Sequence, residues 1–234
     1  TFIIKRPLSR FVSTGRADSS FVPVNALAEY LNLFKNTVIT GIMTNFVNYS
    51  NSKMRKYNII NNSLGWFCFL VAAVTYLLTI EPTASFWDCP EFILQGAKLE
   101  IGHPPGNPIF MLAARFFITL FGNNMATAAV VVNCMSALLS AATILLLFWT
   151  ITHLIRRLIV RDDATEISWP RLALIMGGGL CGALAYTWSD TFWYSAVEGE
   201  VYAFSSFCTA LVFWLILKWE NRADRPNSDR YLLL

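Results

Sequence analysis

MATAAVVVNCMSALLSAATILLLFWTIT, from Met125 to Thr152, holds no charged side chain in twenty-eight positions. At ~1.5 Å per residue, a helix of that length more than covers the ~30 Å of hydrocarbon in a bilayer. It reads as a membrane-spanning helix. Leu172–Trp188 and Val201–Trp219 read the same way. Leu64–Ile80, with Trp66, Phe67, Phe69 and Tyr76, lies at the short end of what can cross. The basic flank Met54-Arg55-Lys56-Tyr57 precedes it with no A-x-A cleavage site after it, in the manner of an uncleaved signal anchor.

Composition agrees. Of 234 residues, 55% are hydrophobic and 14% charged, where soluble domains carry about 25% charged residues. Mean hydropathy is +0.48. The net charge of +3 is small, and no basic stripe interleaved with aromatics supports nucleic-acid binding. Cys68, Cys134, Cys181 and Cys208 fall inside apolar runs, and Cys89 alone in a polar loop. No Cys/His spacing suggests zinc. Residues 1–53 are polar and are expected to form a poorly ordered extension. Residues 220–234 read as a polar cytoplasmic segment, stopping at Leu234 within something longer.

Pro108–Phe121 is apolar, but it is short and contains Arg115. Such a helix covers only ~21 Å and does not span. Arg55 and Lys56, then Arg156, Arg157, Arg161 and Arg171, then Lys218, Arg222 and Arg225 fall on one side if it stays out. Basic residues concentrate on the cytoplasmic side of membrane proteins. The expected fold is therefore all-α: a polytopic transmembrane bundle of four spans, N-terminus cytoplasmic, with outward loops at 81–124 and 189–200.

The first outward loop carries helix signals. Asp88 followed by Glu91 fits an N-cap with an acid at N3, and Pro90 is tolerated in a first turn. That helix is expected over 89–101, stopping at Gly102. His103-Pro104-Pro105-Gly106 makes a stiff turn. Asn107-Pro108 then restarts a helix over 108–121. Both would lie in the membrane interface.

The same loop carries the candidate chemistry. Asp88 or Glu91 could take a proton from an incoming hydroxyl, or could equally hold a divalent metal. Both could also do no more than cap a helix. His103 could donate to a phosphate or help position a substrate. Arg115 is a candidate for an anionic head group, or a snorkelling side chain. In the second outward loop, Trp188, Trp193, Tyr194 and Tyr202 look like an interfacial aromatic belt. That does not explain Glu198 and Glu200, acids at the mouth of a span. Gly177-Gly178-Gly179 and Gly182 lie in an apolar helix without the rest of a phosphate loop, and read as close helix packing.

Phe86-Trp87-Asp88-Cys89-Pro90-Glu91-Phe92, then Gly102-His103-Pro104-Pro105-Gly106-Asn107-Pro108, then Glu198-Gly199-Glu200-Val201-Tyr202-Ala203-Phe204 resemble a known family over roughly 54–219. These are bacterial multi-spanning proteins, best represented in Bacteroidetes, related to the eukaryotic O-mannosyltransferase that modifies plexin-type receptor domains. Pro90 stands where that pattern has Gly. The resemblance implies a GT-C glycosyltransferase of the bacterial inner membrane, its active site facing the periplasm. The donor it implies is a polyprenyl-phosphate sugar, mannose, and the acceptor a Ser or Thr hydroxyl on an exported protein. Asp88 would be the general base and Glu91 its support. His103 would shape the donor site, and Glu200 and Tyr202 match the second motif. No metal ligand set is implied. A transporter, or an inactive membrane scaffold, is the alternative from another class; a transporter would place its acids in mid-span.

Overall fold

The computed structural model describes residues 55–104, 106–121, 123–160, 167–224 and 227–233. The extension expected over 1–53 lies outside them, as do Pro105, Gly122, Arg161 and Arg225. The described chain is helical, with no strand. It forms α1 (Arg55–Leu78), α2 (Cys89–Lys98), α3 (Pro108–Leu120), α4 (Ala128–Ile159), α5 (Trp169–Thr187), α6 (Asp190–Ala196) and α7 (Val201–Glu220). A 3-10 turn, Ser228–Tyr231, follows.

Among the described residues, three helices are long and apolar enough to cross a membrane: α1 from Lys56, α4 and α7. α5 covers the fourth expected span, and it meets the same criterion only together with α6, across a bend of 66°, the mark of a broken span or a re-entrant loop. The second outward loop is thus not irregular. Ser189, in extended conformation, starts α6, and Asp190 sits in its first turn, where an acid suits the positive helix end. α1 begins nine residues before the apolar run at Leu64. Its polar first turns keep their backbone bonds within the helix, and Tyr57 is buried with the Arg156 guanidinium 5.1 Å over its ring.

That contact fixes topology. The start of α1 meets the end of α4, so the two run antiparallel. The segment between them leaves and re-enters at one end of the bundle. α2 and α3 therefore form a hairpin at that end, and α3 is apolar but short. Arg157 pairs with Glu220, which brings the end of α7 beside the end of α4. The basic residues closing α4 and α7 gather at one end, and the acids of both loops at the other. The polar tail folds back on α7: Trp219 donates to Asp229 at 3.3 Å, and Arg222 lies 5.5 Å over the Tyr231 ring.

α4 is the hub, packing against α1, α2, α3, α5, α6 and α7. Lipid tails are as apolar as leucine, so small side chains and close backbone approach hold such helices together. Cys68, Ala72 and Ala73 of α1 meet Ala137 and Ala141 of α4 in one buried cluster. Gly179 of α5 lies against α4: a methyl group there would sit 2.5 Å from Thr152 Cγ2 and 2.9 Å from Phe148 Cε2. Gly178 and Gly182 approach Ile155 and Ile151 in the same way. The glycine run is a packing face, as its sequence context indicated. α7 joins through Trp149 and Trp214, stacked at 5.5 Å. Buried Tyr76 donates to the Thr187 carbonyl at 2.9 Å, tying the end of α1 to the end of α5.

Gly179→Ala is expected to destabilise the bundle by about 1–3 kcal/mol, the usual cost of overpacking. Gly177→Ala, whose methyl would meet nothing within 4 Å, should change little. Thermal unfolding of the detergent-solubilised variants checks the pair.

Candidate active site

The acids are positioned by what precedes and follows α2. Trp87 takes a left-handed backbone, φ 63°, unfavourable for a side chain of its size. It turns the chain into α2 and leaves its ring and that of Phe86 exposed. Asp88 is the N-cap residue, and its carbonyl accepts from Phe92 N–H at 3.0 Å. Its side chain does not cap: Asp88 has helical angles, φ −84° and ψ −10°, and makes no side-chain cap bond. The carboxylate is instead 57% exposed, and no described residue donates a hydrogen bond to it.

Glu91 does not close a capping box either, because His103 and Gln95 hold it. Its Oε1 accepts the backbone N–H of His103 and the Gln95 amide, both at 2.8 Å. Its Oε2 lies 2.9 Å from His103 Nδ1. α2 ends at Leu99, not at Gly102: Leu99 adopts φ 58° and donates to the Gln95 carbonyl at 2.8 Å. Gly102 serves a different purpose. A methyl group there would lie 1.6 Å from Gln95 Nε2 and 2.8 Å from Glu91 Oε1, so only glycine lets the chain pass over this carboxylate network. The other imidazole nitrogen, Nε2, lies 4.0 Å from Asp88 Oδ2.

The Glu91 contacts draw its carboxyl below the ordinary 4.5, the His103 backbone donor acting most, then the imidazole. Glu91 raises the His103 pKa above the ordinary 6.5 by hydrogen bond and charge, with Asp88 adding a smaller push. A lowered acid stabilises the fold above its unfolded pKa and loses that as pH falls through the folded one. A raised histidine stabilises below its unfolded pKa and loses that as pH rises through the folded one. The tie is therefore complete between about 4.5 and about 6.5 and fades on either side.

The second motif joins the first. Cys89, expected in a polar loop, is fully buried, and its thiol faces the backbone of Ser85 and Gly199. Burial pushes that thiol up, which leaves it unreactive. Glu198 is 7% exposed, and Glu200 is the N-cap of α7. No described residue donates a hydrogen bond to either carboxylate. Burial raises the Glu200 carboxyl above 4.5, and the charges of Glu198 and Asp88 add to it. Glu200 thus lies within the field of the acids of both motifs. Tyr202 is exposed on the first turn of α7. Phe204 packs edge-on to Phe110 at 6.2 Å, Phe110 edge-on to Phe92 at 5.9 Å, and Phe92 lies 6.2 Å from the His103 ring.

Arg115 has a structural contact. Its guanidinium donates to the Ala97 carbonyl at 2.7 Å, satisfying the end of α2. α2 and α3 meet closely, since a methyl at Gly96 would lie 2.7 Å from Ala114 Cβ. Asn107 precedes α3 as expected, with Pro108 in the first turn, but its side chain makes no cap bond. Gln95 and Asn133 are not among the residues the sequence singles out, and Gly102 is read there as a helix stop and as part of the His-Pro-Pro-Gly motif. Gln95 had a signal, standing one helical turn after Glu91. Asn133 had another, a carboxamide inside the apolar run. Chemically, the cluster pairs an accessible carboxylate with a histidine whose Nδ1 is already committed to Glu91. Ligand atoms of Asp88, Glu91 and His103 also lie within 4.8 Å of one another, close enough to share a divalent ion.

Residues 88–234 match the family described as protein O-mannosyl-transferase TMEM260 N-terminal domain. The chain belongs to this family. Two TMEM260 relatives are similar to it. The protein O-mannosyl-transferase tmem260 of Dictyostelium discoideum is 22% identical over 70% of this chain and 18% of its own length. Protein O-mannosyl-transferase TMEM260 of Mus musculus is 27% identical over 69% and 20%. The chain thus spans about a fifth of the length of these TMEM260 proteins. No solved structure matches it. The TMEM260 relationship and the apolar helices together make the chain part of an integral membrane protein.

His103 should titrate above 6.5, and Glu91→Gln should bring it back toward that value. A histidine-resolved NMR titration of the solubilised protein measures both; identical titrations in the two proteins would contradict the pairing.

Proposed function

We propose that this chain is the N-terminal part of a membrane protein O-mannosyltransferase of GT-C type, and that Asp88 is its general base. The donor would be a mannosyl polyprenyl phosphate and the acceptor a Ser or Thr hydroxyl of an exported protein. The observation that carries the assignment is the difference between the two loop-one acids. Glu91 has both oxygens engaged by His103 and Gln95, whereas Asp88 is exposed and accepts no hydrogen bond from a described residue. A base must have a free lone pair within reach of the proton it takes.

In this reading the acceptor hydroxyl oxygen attacks the anomeric carbon from the face opposite the phosphate. The bond from that carbon to the phosphate oxygen breaks, the lipid phosphate departs with the electron pair, and configuration inverts. Asp88 receives the hydroxyl proton. Glu91 holds His103 through Nδ1, which leaves Nε2 on the Asp88 side to steady the base or meet a phosphate oxygen. Glu200 and Tyr202 sit at the mouth of α7, where they would face the bound sugar. Arg115 uses one guanidinium nitrogen to hold the end of α2, and its other donors would meet an anionic head group. Concentration of basic residues at the opposite end of the bundle supports placing the acids on the outward face. The acids lie at helix ends rather than in mid-span, which speaks against transport.

Asp88→Asn in the intact enzyme should lower mannosyl transfer by roughly 10²–10⁴-fold, the usual contribution of general base catalysis. Membrane insertion should be unchanged. Mass spectrometry of acceptor proteins reads the loss of the O-linked hexose, and full glycosylation in that variant would remove Asp88 from this role.

A further inference from the structure

We infer that Asn133 is the positioning residue that sets the two acid-bearing segments, 81–91 and 198–200, against each other. It lies in the second turn of α4 and is fully buried. Its Nδ2 donates to the Glu81 carbonyl at 2.7 Å and to the Thr83 carbonyl at 3.0 Å. Two carbonyl acceptors on one side fix which way the carboxamide faces, because turning it over would set oxygen against oxygen.

The other end of the same side chain touches the second segment. Asn133 Oδ1 is buried with no hydrogen-bond partner. A methyl group on Gly199 would lie 2.9 Å from that oxygen, 2.9 Å from Val132 Cγ1 and 3.3 Å from Ile93 Cγ1. Gly199 therefore sits directly on Asn133, between Glu198 and Glu200. Glu81 completes the joint, since its N–H donates to the Val197 carbonyl at 3.1 Å while its own carbonyl accepts from Asn133. The chain leaving α1 and the turn entering α7 are thus held by one carboxamide on the helix behind them. Five residues after Thr83, the first segment reaches Asp88.

A leucine fills much the same space and donates nothing. Asn133→Leu should release residues 79–88 while leaving the spans intact. Hydrogen exchange of the purified, solubilised protein should show amides of 79–88 exchanging on the order of tenfold faster, as loss of a buried hydrogen bond implies. Protection within α1 and α4 should persist. Gly199→Ala presses on the same joint from the other side and should loosen the same segment. It serves as the second variant should Asn133→Leu not fold. Ser140→Ala, elsewhere on α4, should leave 79–88 unchanged. Unaltered exchange over 79–88 in either folded joint variant would overturn the inference.

Its kinetic consequence rests on the proposed transferase. In the intact enzyme, Asn133→Leu should lower kcat more than it raises KM, because the two acid-bearing segments lose their fixed placement. Absence of transfer in the wild-type enzyme would remove the proposed reaction, while the exchange result would still decide the role of Asn133.

Discussion

Helices inside a bilayer gain little from hiding apolar side chains from one another, because lipid serves that purpose equally well. What holds this bundle together is close backbone approach to α4. Alanines admit α1, glycines admit α5, and the stacked pair Trp149 and Trp214 carries α7. Everything at the acid end hangs from the first turns of that same helix. Val132 and Met135 support α2 and α3, and Asn133 holds the chain that leads into them. The site is therefore as rigid as the packing of α4 allows.

On that support, the loops at the acid end are built more like a folded cap than like connecting chain. The aromatic series Phe204, Phe110, Phe92 runs from α7 through α3 to α2 and ends beside His103. Gly96 and Arg115 bring α2 and α3 together, one by removing bulk and the other by satisfying a helix end. Electrostatics then separates the acids by environment. Glu91 is paired and stays ionised, Glu200 is crowded by like charge and burial, and Asp88 faces outward. Sites that move protons commonly divide their acids in this manner.

The spans were legible because uncharged runs of that length have few other solutions in a chain this apolar. Pro108–Leu120 is a short apolar helix, as its length in the sequence indicated. The glycine run was legible from its surroundings. Helix ends were less so. Gly102 looked like a helix stop, yet the stop is Leu99, because Gly102 is required where the chain crosses over Gln95 and Glu91. Asp88 and Glu91 looked like a capping box, yet Glu91 is drawn to His103, twelve residues on. α6 was hidden in a segment whose aromatic content suggested only an interfacial belt.

By itself, then, the sequence determined the class of protein and the residues from which a site could be made. Hydropathy, charge placement and local motifs act over one or two turns, and those properties depend on little else. Which acid is free, which is paired, and what holds the two motifs together were decided only by tertiary structure. Glu91 is paired because His103, twelve residues on, reaches back to it, and the two motifs meet where Asn133 reaches Glu81 and Thr83 some fifty residues earlier and Gly199 rests against Asn133. Contacts at that separation are set by how α4 packs, and no local pattern encodes them.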